Sequence, residues 1–189
     1  MDCPNATHIF RASIGRCLGF ETYRQIMVRM NNDASLVNDV DFQKMFDGYY
    51  KIRKNAQWRS NYYELFEQIR NDNDPTFEYI IRELYECGTV EPSFSSKMLA
   101  TINPNKPIWD SNVLRNLGKT LYGKTPEERL ENAIHIYRDI ESEIGDFINS
   151  QRGENYINEF NMMFPEYTDF NPYKKVDFYL WSRQPEDEI

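Results

Sequence analysis

An all-α, two-lobed helical bundle is the fold this sequence predicts, and three observations lead there. Prolines at 4, 75, 92, 104, 107, 126, 165, 172 and 185 leave residues 5–74 and 127–164 free of the residue that most strongly breaks helices. Within those spans apolar residues recur at helical spacing, as in Trp58, Tyr62, Leu65, Phe66 and Ile69, or Leu130, Ala133, Tyr137, Ile140, Ile144 and Phe147. Period-two alternation, the mark of half-buried strands, is sustained nowhere.

Taken in order, the pattern predicts helices near 6–17, 20–31, 36–53 and 55–71. The polar turn Asn71-Asp72-Asn73-Asp74-Pro75 follows and is the expected boundary between lobes. Asp74 supplies a capping carboxylate before a proline at the first helical position, which starts a helix at 75–87 that Gly88 is placed to end. A helix at 94–102 and a short one at 111–118, begun by Asp110 and closed by Gly118, come next. Thr125-Pro126-Glu127-Glu128 reads as a capping box for a long helix at 126–150. Helices at 153–163 and 172–183 complete the chain, and Val176-Asp177-Phe178-Tyr179-Leu180-Trp181 is the apolar segment that closes the bundle. Asp177 there is a cap or a salt-bridge partner and is assigned no chemistry. Residues 185–189 form an acidic tail expected to be disordered.

The 189 residues and 22.6 kDa fit one domain, 1–189, with a sizeable core. Aromatic residues at 15% exclude disorder, and charged residues at 28% exclude a membrane-embedded chain. No apolar run approaches the roughly 18 residues a bilayer requires, and the first twenty residues lack the apolar centre of a signal peptide, so a soluble, cytoplasmic protein without membrane contacts is expected. Cys3, Cys17 and Cys87 are odd in number and far apart, and His8 and His135 form no cluster. Neither a disulfide framework nor a metal is expected, and no cofactor. A net charge of −8 argues against a surface that coats nucleic acid as a whole. A nucleic-acid site must be local, and residues 97–124 offer one: Lys97, Lys106, Arg115, Lys119 and Lys124 stand against Asp110 alone, a balance of +4.

The same stretch carries the central motif, Glu91 to Gly118. It reads as a tight turn, a helix carrying Lys97, a proline-punctuated connection (Asn103-Pro104-Asn105-Lys106-Pro107) and a second helix started by Asp110. A short connection makes the two helices neighbours, so the heads of Lys97 and Asp110 are able to meet at one cleft.

In these residues the chain resembles the helix-hairpin-helix DNA glycosylases of the endonuclease III and 8-oxoguanine glycosylase type. That family has a hairpin Pro-Gly-Val-Gly-x-Lys before a helix and, later, an Asp in a Val-Asp-x-x-Val context before a helix ending in Leu-Gly. This chain has Pro92-Ser93-Phe94-Ser95-Ser96-Lys97, then Ile108-Trp109-Asp110-Ser111-Asn112-Val113, then Leu117-Gly118. The resemblance covers about 27 residues. It implies a DNA repair enzyme with Lys97 as nucleophile and Asp110 as catalytic carboxylate. It also implies DNA contacts from Ser93, Ser95, Ser96, Lys106 and Arg115, and a pocket for a flipped base walled by aromatics such as Trp109, Trp58 and Tyr62. Both hairpin glycines of the family are serine here, and the connection from Lys97 to Asp110 is shorter than the family's.

Plainer accounts stand beside this one. Asp110 is well placed to be only an N-cap, and Lys97 to be only a helix lysine. Arg53-Lys54-Asn55-Ala56-Gln57-Trp58-Arg59, followed by Tyr62 and Tyr63, interleaves cations with aromatics as nucleic-acid surfaces do, while Trp58 and Tyr62 at i, i+4 equally make core. The alternative to an enzyme is a non-catalytic helical module on the same scaffold that binds nucleic acid or a protein partner. A helical bundle with an accidental motif match is the third possibility.

Overall fold

The computed structural model describes residues 19–72 and 74–182, and among them every regular element is helical. The expected helix at 6–17 and the tail at 185–189 lie outside the described residues. In chain order the helices are α1 (Phe20–Met30), α2 (Val40–Tyr50), α3 (Ala56–Ile69), α4 (Phe77–Glu86), α5 (Pro92–Ile102), α6 (Ser111–Asn116), α7 (Pro126–Ile148), α8 (Gln151–Met163) and α9 (Pro172–Ser182). A 3₁₀ turn at Pro165–Tyr167 joins the last two. None of these helices is long and apolar enough to cross a membrane.

Side-chain caps place most of the starts. Asp39 accepts from Phe42 N, Asn55 from Trp58 N, Asp110 from Asn112 N and Ser150 from Gly153 N. Thr125 accepts from Glu128 N while the Glu128 carboxylate reaches back to Lys124 N at 2.7 Å, a close variant of the expected capping box. The caps also account for departures from the sequence reading. The helix expected at 36–53 begins only after Asp39, because that carboxylate takes the cap and also pairs with Arg29, while Leu36 N turns away to Glu67 Oε2 at 2.7 Å. Thr76 rather than Asp74 caps α4, and Pro75 is a buried residue ahead of the helix. Gly88 and Gly118, with φ of 114° and 64°, follow α4 and α6 as expected, since a left-handed residue there frees the chain to turn.

Each helix buries one stripe. Phe42, Phe46 and Tyr50 of α2 meet Tyr62, Tyr63 and Phe66 of α3, and Phe20 of α1 lies among Phe160, Phe164, Phe170 and Phe178. A third group stacks Phe77 of α4 on Tyr137 of α7, with centroids 3.8 Å apart, and on Trp109. These groups join in one continuous core that runs across residues 71–75. Helix α4 packs on α5 and α7, α9 packs on α6, α7 and α8, and α1 packs on α2 and α5.

The turn between α7 and α8 is the tightest approach. A Cβ on Gly153 would stand 2.0 Å from the carbonyl oxygen of Phe147, which also accepts from the Ser150 hydroxyl at 2.6 Å. A side chain therefore has no room, although Gly153 lies inside a helix, where alanine is intrinsically better by about 1 kcal/mol. Gly153→Ala is expected to destabilise the protein by more than that propensity gain, read as a lower midpoint in urea denaturation with unchanged slope.

Candidate active site

Helix α5 has no side-chain cap and begins with Pro92, so residues 92–95, which the family resemblance casts as a hairpin, are its first turn. The serines there look inward. Ser95 Oγ donates to Glu91 O at 2.8 Å, and Ser96 Oγ donates to Ser93 O at 3.0 Å; both residues are fully buried. The expected role of Ser95 and Ser96 as surface phosphate ligands is therefore corrected, because their hydroxyls are spent on α5 itself and on the core. Ser93 is only half-buried.

Ser96 makes a second bond that builds the site. Its hydroxyl accepts from Trp109 N at 2.8 Å, in the buried interior, and so fastens the connection after α5 back onto the helix. The residues next to this bond on each side are Lys97 and Asp110. Both line one cavity of about 320 Å³, within the size range of small-molecule sites. Its walls also include Tyr49 and Tyr50 of α2, Lys51 at the C-cap of that helix, Ile108, and Lys174, Asp177, Phe178 and Trp181 of α9.

Lys97 is 7% exposed, donates from Nζ to Tyr50 O at 3.3 Å, and has the Phe94 ring centroid 5.3 Å away. Burial pushes its amine below the ordinary 10.5, and the nearby ammonium groups of Lys174 and Lys51 act in the same direction, while Asp110 and Asp177 pull the other way. Asp110 is partly exposed and both caps α6, through Oδ1 to Asn112 N at 2.8 Å, and faces the cavity. Lys174 is a different case. Burial opposes its charge, but the Asp177 carboxylate at 2.6 Å more than compensates, and its ammonium stays charged. The rings of Tyr23 and Phe178 lie 4.7 and 4.6 Å from it and add cation–π attraction. Tyr23 and Tyr50 stay neutral, since burial raises both hydroxyls. The cavity thus holds a desolvated amine, a carboxylate and a fixed ion pair between aromatic walls, an arrangement suited to attack on an electrophilic carbon.

The other expected site residues are elsewhere. Trp109 is 4% exposed and held in the stack with Phe77; Trp58 stacks on Tyr62, centroids 5.0 Å apart, and Tyr62 OH donates to Phe94 O. None of the three lines the cavity, so the expectation of a base pocket built from them is corrected: their rings are needed in the core. Tyr49, Tyr50, Phe178 and Trp181 are the aromatic walls instead. Nor does the local +4 balance make an unopposed strip. Lys106 pairs with Glu141 at 2.8 Å, Lys119 pairs with Asp139 and Glu143, and Lys97 points into the cavity; Arg115 is exposed on α6. In the interleaved segment, Lys54 pairs with Glu91, and Arg59 with Asp47 at 2.7 Å. Among the described residues no group of three or more His, Cys, Asp or Glu is placed to hold a metal ion. Asp177, expected as a cap or a salt-bridge partner, pairs with Lys174, which sequence reasoning passed over and whose one signal was the opposite charge at i, i+3.

Comparison of the chain with protein-family models, with curated proteins and with solved structures finds no match.

Two expectations follow from the geometry. The folded-state pKa of Lys97 lies below its unfolded 10.5, so the unfolded chain holds the proton more tightly. The resulting cost to folding is complete below the folded value and fades as pH rises to 10.5. Lys97→Met should therefore be more stable than wild type near neutrality, with the gap narrowing as pH rises, as measured by urea denaturation across that range. Asp110→Ala should lose about 1 kcal/mol through the lost cap, whereas Asp110→Asn, which caps equally well, should lose little. Equal losses in the two variants would show that stability there depends on charge and not on the cap.

Proposed function

We propose that this protein is a DNA glycosylase-like enzyme on a helix-hairpin-helix scaffold, with the cavity between α2, α5 and α9 as its active site. The observation that carries the reading is that Lys97 and Asp110 line the same cavity, with the amine desolvated. The family resemblance assigned the same two residues as nucleophile and carboxylate. In this reading α4 and α5, which pack on one another, stand for the helix pair of such a scaffold.

In this reading a damaged nucleotide is rotated out of the duplex, and its base enters between Tyr49, Phe178 and Trp181. The lone pair of Lys97 Nζ attacks C1′ as the bond from C1′ to the base breaks. The bonding electrons leave with the base, which takes up a proton, and Asp110 stabilises the positive charge that develops on the sugar. Loss of one proton from nitrogen, opening of the C1′–O4′ bond with its electrons going to O4′, and transfer of the remaining nitrogen proton to O4′ then leave an imine between Lys97 and the ring-opened sugar. Burial shifts Lys97 toward the neutral amine, the form that attacks in this step.

A second reading has an observation of its own. The first turn of α5 contains no glycine, and its Ser95 and Ser96 hydroxyls are buried, so the backbone grip on phosphate implied by the resemblance is missing. That favours a non-catalytic helical module, binding nucleic acid or protein through another surface.

Borohydride trapping separates the two. Incubation with labelled oligonucleotides containing an abasic site or 8-oxoguanine, followed by reduction, is expected to give a protein–DNA adduct on a denaturing gel, absent in Lys97→Gln and reduced at least tenfold in Asp110→Asn. An adduct of equal strength in Lys97→Gln would place the chemistry on another amine. No adduct with either lesion would favour the binding module.

A further inference from the structure

At the rim of the same cavity stands a cation with no acidic partner among the described residues. Lys51 is exposed, lines the cavity, and holds its Nζ 5.8 Å from the centroid of the Trp181 ring; no carboxylate pairs with it among the described residues. Lys174, deeper in, is committed to Asp177, and Lys97 to the interior. With Lys97 acting as a neutral amine, the cations Lys51 and Lys174 face Asp110 and Asp177 in the cavity walls, and Lys51, at the entrance, is the one with no carboxylate within ion-pair distance among the described residues.

The backbone draws attention to the same residue. Lys51 closes α2 in the left-handed conformation, φ 55° and ψ 45°, and is the one non-glycine residue with positive φ among those described. Glycine is the usual occupant of such a position, and strained residues that persist tend to mark functional sites. One turn earlier, Gly48 also lines the cavity, and a Cβ there would meet nothing within 4 Å among the described residues.

We propose that this rim is a phosphate subsite, in which Lys51 binds the phosphate of a sugar phosphate whose C1 carbon lies at Lys97. The proposal rests on Lys97 being the nucleophile of the preceding reading. It supplies, from the end of α2, the phosphate grip that the buried serines of α5 do not. A deoxynucleotide within DNA and a free sugar phosphate present the same chemistry.

The test uses the full chain and two small probes, 2-deoxyribose and 2-deoxyribose 5-phosphate, whose open forms carry a C1 aldehyde. Lys97 Nζ adds to that carbon, both amine hydrogens leave with the carbonyl oxygen as water, and borohydride delivers hydride to the imine carbon while nitrogen takes a proton from solvent. The adduct is located on Lys97 by peptide mass. In wild type the phosphate should lower the half-saturating concentration about tenfold, the scale of one charge-assisted hydrogen bond. Lys51→Gly, which suits the left-handed backbone, should make the two probes equivalent, and Lys51→Arg should restore the preference. Equal half-saturation in wild type, a preference that survives Lys51→Gly, or no Lys97 adduct with either probe would overturn the subsite. An adduct with the sugar phosphate but with no damaged DNA would end the glycosylase reading and leave the subsite standing.

Discussion

Lys174 carries a charge although it is only 6% exposed, and much of the architecture answers that fact. An ammonium in the interior is tolerable only with an opposite charge and further favourable contacts at hand. Asp177 provides the first from one turn further along α9, at 2.6 Å. The second comes from other elements: Tyr23 of α1, Tyr49 and Tyr50 of α2, and Phe178 of α9 itself turn their rings toward the nitrogen. The pair can be desolvated only when α9 is seated against α1 and α2. That seating also makes α9 the far wall of the cavity, so the constraint that docks the last helix also shapes the site.

The opposite wall is set by a neutral bond. The hydroxyl of Ser96 takes the N–H of Trp109, while the Trp109 ring lies in the stack with Phe77 and Tyr137, and Tyr137 OH donates to Pro107 O at 2.8 Å. The connection from α5 to α6 is held at both edges, and Lys97 and Asp110 are the neighbours of the two residues so joined. A short connection between helices thereby acts as a template for a pair of functional groups. Holding Lys97 in this dry position works against stability, because desolvation disfavours its charged form, and such a cost is characteristic of groups kept for reactivity.

The two lysines facing Tyr50 illustrate how differently one residue type behaves under burial. Each has its Nζ 5.8 Å from that ring. Lys174 has a carboxylate in contact and stays charged; Lys97 has only a backbone carbonyl in hydrogen-bond range, with its carboxylates acting from further away, and is shifted toward the neutral amine. Partner distance decides whether a buried lysine is held charged or shifted toward the neutral amine.

Helical class was written in the sequence, because proline spacing, caps and 3.6-residue periodicity act over one or two turns and need no tertiary information. Thr125 and Asp110 were legible as starts for the same reason, and so was the nearness of Lys97 to Asp110, which a short proline-bearing connection imposes. What the chain alone did not reveal depends on contacts between distant segments. The charges of Lys106 and Lys119 count toward a basic strip until α7 brings Glu141, Asp139 and Glu143 beside them. Trp58, Tyr62 and Trp109 have the composition of a base pocket, yet rings at helical spacing are claimed by the core, where they bury the most area. The true walls, Tyr49, Tyr50, Phe178 and Trp181, come from helices more than a hundred residues apart in the chain, and no local period marks which of their faces will meet. Sequence determined the helices and the nearness of Lys97 to Asp110; packing decided which rings surround them and which charges find partners, since both are settled by whatever segment arrives opposite.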